Sequence, residues 1–249
     1  MHIGECAFWD CTSLASVEIP KSVTSIDEAA FIGVGGISVS VDNLSYRSID
    51  GNLYTKDGRT LLYYAANKKN TTFIIPDSVT HIGERALQRC RNLVSVVIPD
   101  SVWSIGTLAF YDCTSLASVV IPDSVKSIGK SAFSGCTSLA SVVIPDSITS
   151  IGNWAFNDCT SLASVVIPDS VWSIGEYAFC DCTGLASAVI SDSVTSIDER
   201  AFKGCKSLAS LRYTGTKAQW NQIVLGSDWK QNTLLRAVEC TDGTIRFLF

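Results

Sequence analysis

The sequence predicts a solenoid built from parallel β-strands, and three observations carry that reading. Residues 121–143, IPDSVKSIGKSAFSGCTSLASVV, recur almost unchanged over 98–120 and 144–166, a period of 23 residues. All six prolines (Pro20, Pro76, Pro99, Pro122, Pro145, Pro168) occupy one position of that repeat. Seven cysteines (Cys11, Cys90, Cys113, Cys136, Cys159, Cys182, Cys205) share another. A unit this short cannot bury its own apolar face and stacks on its neighbours to do so.

Within one coil, Leu116, Val119 and Ile121 alternate as inward residues of a strand. The proline that follows cannot donate to a parallel ladder and so ends the strand. Val125 and Ile128 point inward from a second extended segment. Ala132, Phe133 and Cys136 close the coil through one short helical turn, with Gly129 permitting the bend into it. The recurring Asp123-Ser124 pair is expected in a turn whose side chains satisfy free backbone amides.

The array is read as one solenoid over residues 1–212. It starts with a partial repeat, 1–18, in which His2-Ile3-Gly4 aligns with Ser104-Ile105-Gly106. The chain thus opens in mid-repeat and is expected to be a piece of a longer protein. The period breaks over about 42–72. There Asn52–Thr55, Lys56-Asp57-Gly58-Arg59 and Thr60–Ala65 read as strand, turn, strand, since Asp-Gly between β-prone runs is a hairpin signal. Leu61, Leu62, Tyr63 and Tyr64 predict that this hairpin packs on the solenoid. Regular repeats occupy 75–212. Residues 213–249 are expected to cap the end, with a Thr-started amphipathic helix over Thr214–Ile223 and two β-like pieces flanking Thr241-Asp242-Gly243.

Composition bounds the partners. A net charge of −5 without any Lys/Arg cluster argues against nucleic acid. The small Lys68-Lys69 pair reads as a solvated turn tip. No apolar run has the ~18 residues of a membrane span, and Met1-His2-Ile3-Gly4 does not open a signal peptide.

Equivalent cysteines on adjacent coils point the same way, so their Cβ vectors do not face each other as a disulfide requires. They are expected to be buried thiols in small apolar niches. Cys6, Cys180 and Cys240 fall outside the column. Cys180 stands where other repeats carry Trp9, Tyr111, Ser134 or Asn157, and that variability predicts an exposed thiol. A lone Cys180-Asp181-Cys182 is a poor zinc signal. One carboxylate per coil, all facing one way, does not enclose a calcium ion.

The residues also carry a resemblance. IPDSV-x-SIG-x-x-AF-x-x-CTSL, the interruption SIDGNLYTKDGRTLLYY and the ending YTGTKAQWNQI are similar to the BspA-like leucine-rich repeat proteins of host-associated bacteria and some parasitic protists. The pattern departs from more familiar leucine-rich repeats, since Val119 and Ile121 replace leucines and Ser124 stands at the asparagine-ladder position. The resemblance implies a right-handed superhelix with a parallel sheet on its concave face. It also implies a secreted or cell-surface protein, with adhesion to host or matrix proteins as a known role of some members. It brings no catalytic residues and no cofactor.

Nothing in the sequence reads as an enzyme. His2 and His81 stand where other repeats have Ser, and the carboxylates recur with the period, which marks them as architectural. No phosphate-cradling loop or nucleophile motif occurs. Candidate contact residues are therefore those that face out. Val97, Val120, Val143, Val166 and Val189 form a column beside a serine column, an apolar stripe about 19 Å long at the strand spacing. Trp103 and Trp172 share a second column, about 14 Å apart. Trp154 and Tyr177 share a third, with Leu108 and Ser131.

The expected function is a non-enzymatic module that binds a protein ligand. A glycan surface using the exposed Trp and Tyr residues, and a structural spacer within a larger surface protein, are the alternatives. The first coil exposes Ile3, Phe8, Leu14 and Val17, and self-association through that end is a further expectation.

Overall fold

The structure is a computed structural model that describes residues 1–66 and 70–247. The Lys68-Lys69 pair lies outside the described residues. The chain is a parallel-strand solenoid of about ten turns. Among the described residues the single helix is Lys217–Trp220.

Each regular coil has three sides. The first is a strand of three or four residues. Ser95–Val97, Ser118–Val120 and Ser141–Val143 pair in parallel, Ser with Ser and Val with Val. Alternation decides the faces: Val96, Val119 and Val142 are buried, whereas Val97, Val120 and Val143 are exposed. The second side is a two-residue strand such as Ser104–Ile105 or Ser127–Ile128, with the isoleucine inward.

The third side differs from the helical turn expected of it. It is a run of tight turns in which a left-handed residue recurs, for example Leu108, Ser131, Trp154 and Tyr177 at φ between +54° and +61°. That reversal prevents a helix and aims alternate amides at the next coil. Leu108, Phe110 and Asp112 donate to the carbonyls of Lys130, Ala132 and Ser134 at 2.8–2.9 Å. Most adjacent coils are thus hydrogen-bonded on all three sides, whereas the 121–143 and 144–166 coils are not paired through their strands.

Two sequence expectations change their cause. Gly129 is required by close approach: a Cβ there would meet the Thr107 amide nitrogen of the coil before. The Asp-Ser serines do not satisfy amides. Ser101, Ser124 and Ser193 donate to the carbonyls of Val79, Val102 and Val171, each at 2.7 Å, one coil back.

The core is a set of columns. Phe110, Phe133, Phe156, Phe179 and Phe202 are fully buried and stack in sequence, with ring centroids 4.9–5.4 Å apart. Trp229 closes the stack edge-on. Offset-stacked pairs add about 0.5–1.5 kcal/mol each beyond their burial.

The interruption is a three-stranded antiparallel piece, Tyr46–Ile49, Asn52–Thr55 and Thr60–Tyr63. Its last strand pairs in parallel with His81–Ile82 and so enters the solenoid's second sheet. It divides the interior in two. Leu53 and Tyr63 pack on the smaller N-terminal core with Ile19, Phe31 and Val34. Tyr54, Leu61 and Tyr64 pack on the larger one.

Residues 213–247 form a further coil with a closing hairpin. Thr216 caps Lys217–Trp220 through a reciprocal pair with Gln219. Val224–Leu225 pairs with Ser196–Ile197, and the carbonyls of Ser227, Trp229 and Gln231 accept from Arg200, Phe202 and Gly204. Ala237–Cys240 and Gly243–Arg246 then pair antiparallel.

Candidate binding surface

The outward valines form a stripe: parallel register places Val97, Val120 and Val143 side by side and Val166 beside Val189, the two groups lying on adjoining sheets. Val120 and Val143 are each 73% exposed, and Val97 and Val166 are exposed as well. Val189, the fifth predicted member, is half-buried. The stripe extends one coil further than the repeat indicates: Ile74 pairs with Val97 and is 69% exposed. Sequence reasoning missed it because residues 72–74 follow the interruption and lack the Ser-Val-Val signature. The only cue was Ile74 standing just before Ile75-Pro76. From Ile74 to Val189 the stripe is about 24 Å long. Beyond Val189 it meets Arg212, which pairs with Glu239. Serines flank it, with Ser118, Ser141 and Ser164 exposed.

Trp103 and Trp172 are exposed on the turn after this strand. The other two predicted aromatic contacts behave differently. Trp154 and Tyr177 are half-buried and stacked, their centroids 4.0 Å apart and their planes within 8°. Arg200 donates to the Tyr177 hydroxyl. The Trp154 and Tyr177 rings therefore cover one face of each other and do not make a flat two-ring platform.

Two cysteine expectations are corrected. Cys180 is buried, and its thiol reaches the Asp181 carboxylate at 3.3 Å. Its column turns inward: Ser134 bonds to Asn157, which donates to the Cys180 carbonyl at 3.0 Å. Burial pushes the Cys180 thiol up to about 12. Cys11, expected to be buried, is exposed. Cys113, Cys136, Cys159, Cys182 and Cys205 each donate to a carbonyl one coil back. No described coil lies before Cys11 to cover it or accept from it. Among the described residues no group of three His, Cys, Asp or Glu side chains is placed to hold a metal, and no helix is long and apolar enough to cross a membrane.

The profile of the BspA type leucine rich repeat region matches residues 1–60, 61–142 and 104–225. The chain belongs to the BspA-type leucine-rich repeat family. Solved structures agree with that membership. A leucine-rich repeat protein from Eubacterium ventriosum superimposes with a TM-score of 0.82 at 27% identity, over 90% of this chain and 60% of that one. A leucine rich cell surface protein from Faecalibacterium prausnitzii gives 0.61 at 32% identity, over 85% of this chain and 51% of the other. The T. pallidum leucine-rich repeat protein gives 0.61 at 31% identity, over 75% and 85%. This BspA-type chain thus spans about half to three fifths of the first two proteins. No curated protein matches it.

Proposed function

We propose that this chain is a protein-binding module of a secreted or cell-surface protein and that the first sheet is its contact face. The observation that carries the reading is the Ile74–Val166 stripe: five exposed β-branched residues, of which Ile74, Val97, Val120 and Val143 stand in register on one sheet and Val166 on the adjoining one. Contiguous exposed apolar surface of this kind marks interaction sites. The serine column beside it offers hydroxyls without the desolvation cost of charge. The strands of Ile74, Val97, Val120 and Val143 are tied into one ladder and that of Val166 into the next, so little order is lost on binding. The similarity to a leucine rich cell surface protein supports the location.

The test is binding of purified host matrix proteins to the immobilised chain. Saturable binding that is lost in Val120→Ser/Val143→Ser, with an unchanged melting temperature, is the expected result. No binding, or binding indifferent to that double variant, removes the proposal. A glycan-binding reading is favoured by the exposed indoles of Trp103 and Trp172, and a glycan array with Trp103→Ala and Trp172→Ala decides it.

A further inference from the structure

The inter-coil ladder lapses at more than one boundary: the strands of the 121–143 and 144–166 coils are not paired on the first two sides, and the third side opens at the coil that precedes the antiparallel insertion. In regular coils the left-handed residue and the residue two after it donate their amides forward: Leu108 to Lys130 and Phe110 to Ala132, at 2.9 and 2.8 Å. In the coil containing Ile26–Val34 the equivalent donors are Ala29, also left-handed at φ 60°, and Phe31. Among the described residues neither amide has a backbone acceptor. The acceptor side of the same coil is in normal use, since Phe8 and Asp10 donate to Ala30 and Ile32, both at 2.7 Å.

Where the next coil would stand there is a cavity of about 290 Å³ lined by Ala29 and Phe31. The antiparallel insertion causes it. Leu62 and Tyr63 form the opposite wall, but the carbonyls of this strand do not accept from Ala29 or Phe31. Phe31, Leu53, Leu62 and Tyr63 make the interior apolar. Asp27, Glu28 and Glu84 make the mouth acidic. Arg85 spans those carboxylates, 2.7 Å from Glu84 and 3.3 Å from Glu28. Burial, and then the Glu28 charge, hold the Glu84 carboxyl above its usual range.

We propose that this cleft receives an extended peptide segment of a partner protein in which an apolar residue neighbours a lysine or arginine. Its carbonyls accept from the Ala29 and Phe31 amides and so stand in for the missing coil, a form of strand addition. Its apolar side chain fills the cavity, and its cation takes the place of Arg85 between Glu28 and Glu84. The site is separate from the valine stripe.

The test uses the whole chain and a fluorescein-labelled peptide, Gly-Ser-Val-Lys-Phe-Lys-Val-Ser-Gly, read by fluorescence anisotropy. Binding is expected to weaken about tenfold or more in Glu28→Gln/Glu84→Gln, a charge-assisted contact's share of affinity. It is expected to tighten in Arg85→Ala, a gain that misfolding does not produce. It stays unchanged in Val120→Ser/Val143→Ser, which separates this site from the sheet. Amide exchange by NMR slows at Ala29 and Phe31 when the peptide is added. Absence of binding at about 1 mM peptide, equal binding of the version with Glu for Lys, indifference to the double Gln variant, or unaltered exchange at the two amides overturns the proposal.

Discussion

The Tyr63 hydroxyl donates a 2.7 Å hydrogen bond to the Val34 carbonyl, and both residues are buried. This bond joins the inserted hairpin to the N-terminal core beside the point where the ladder is interrupted. Tyr63→Phe leaves that carbonyl without its donor and is expected to cost about 1–3 kcal/mol. Urea unfolding measures the loss. Hydrogen exchange is expected to rise first in residues 1–39, because the N-terminal core is the smaller of the two and is separated from the main one by the hairpin.

The phenylalanine column predicts a steeper penalty. Phe156 is sandwiched between Phe133 and Phe179 with no exposure. Phe156→Ala is expected to destabilise by about 3–5 kcal/mol, since the stacked backbones on either side cannot collapse into the space. A loss below ~1 kcal/mol in denaturant unfolding would contradict this packing argument.

The thiols predict an order of reactivity. Cys6 and Cys11 are exposed and are expected to be alkylated first by iodoacetamide at pH 8. Cys240 is half-buried and follows. The other seven, Cys180 among them, are buried and react only on unfolding. Peptide mapping of the alkylated chain checks the order, and early labelling of Cys180 would contradict its placement.

The same burial sets a pH dependence. Desolvation raises the thiols of Cys90, Cys136, Cys159 and Cys182 above their usual value near 9. The folded chain then keeps protons that the unfolded chain releases once the pH exceeds about 9. Stability is therefore complete below that pH and falls as the pH rises, by up to about 1.4 kcal/mol per pH unit for each thiol that stays protonated. Urea midpoints between pH 7 and 10 test this, and Cys136→Ala/Cys159→Ala is expected to flatten the alkaline decline.

The Trp154–Tyr177 stack is tested by a double-mutant cycle. Its half-buried rings are expected to couple by about 0.5–1.5 kcal/mol. Zero coupling in the thermal or urea data would make each ring an independent surface residue and reopen the site to a flat ligand.

Much of this was legible in the residues. The 23-residue period gives the solenoid, because a unit that cannot bury its own apolar side must stack. Two-residue alternation gives the faces of Ser118–Val120. Asp57-Gly58 between β-prone runs gives the hairpin, whose first observed strand, Asn52–Thr55, is the expected one and whose second, Thr60–Tyr63, stops two residues short of the expected Thr60–Ala65. The valine column follows from the same alternation, and register turns it into a stripe.

Periodicity reports equivalence between coils but not what covers a given column. Cys11 and Cys136 share a letter and a position, yet one is exposed and the other buried, because burial comes from the coil before. Cys180 looked free because its column varies, and only the folding of Ser134 and Asn157 into an internal polar chain shows otherwise. The sequence by itself determined the repeat, the core letters and the outward letters, all of which depend on local alternation and stacking. The tertiary structure alone decided the partition of the core, the pairing of Trp154 with Tyr177 and the open cleft beside Phe31. Each of these depends on which backbone donors find a neighbour once an antiparallel piece is placed in a parallel stack.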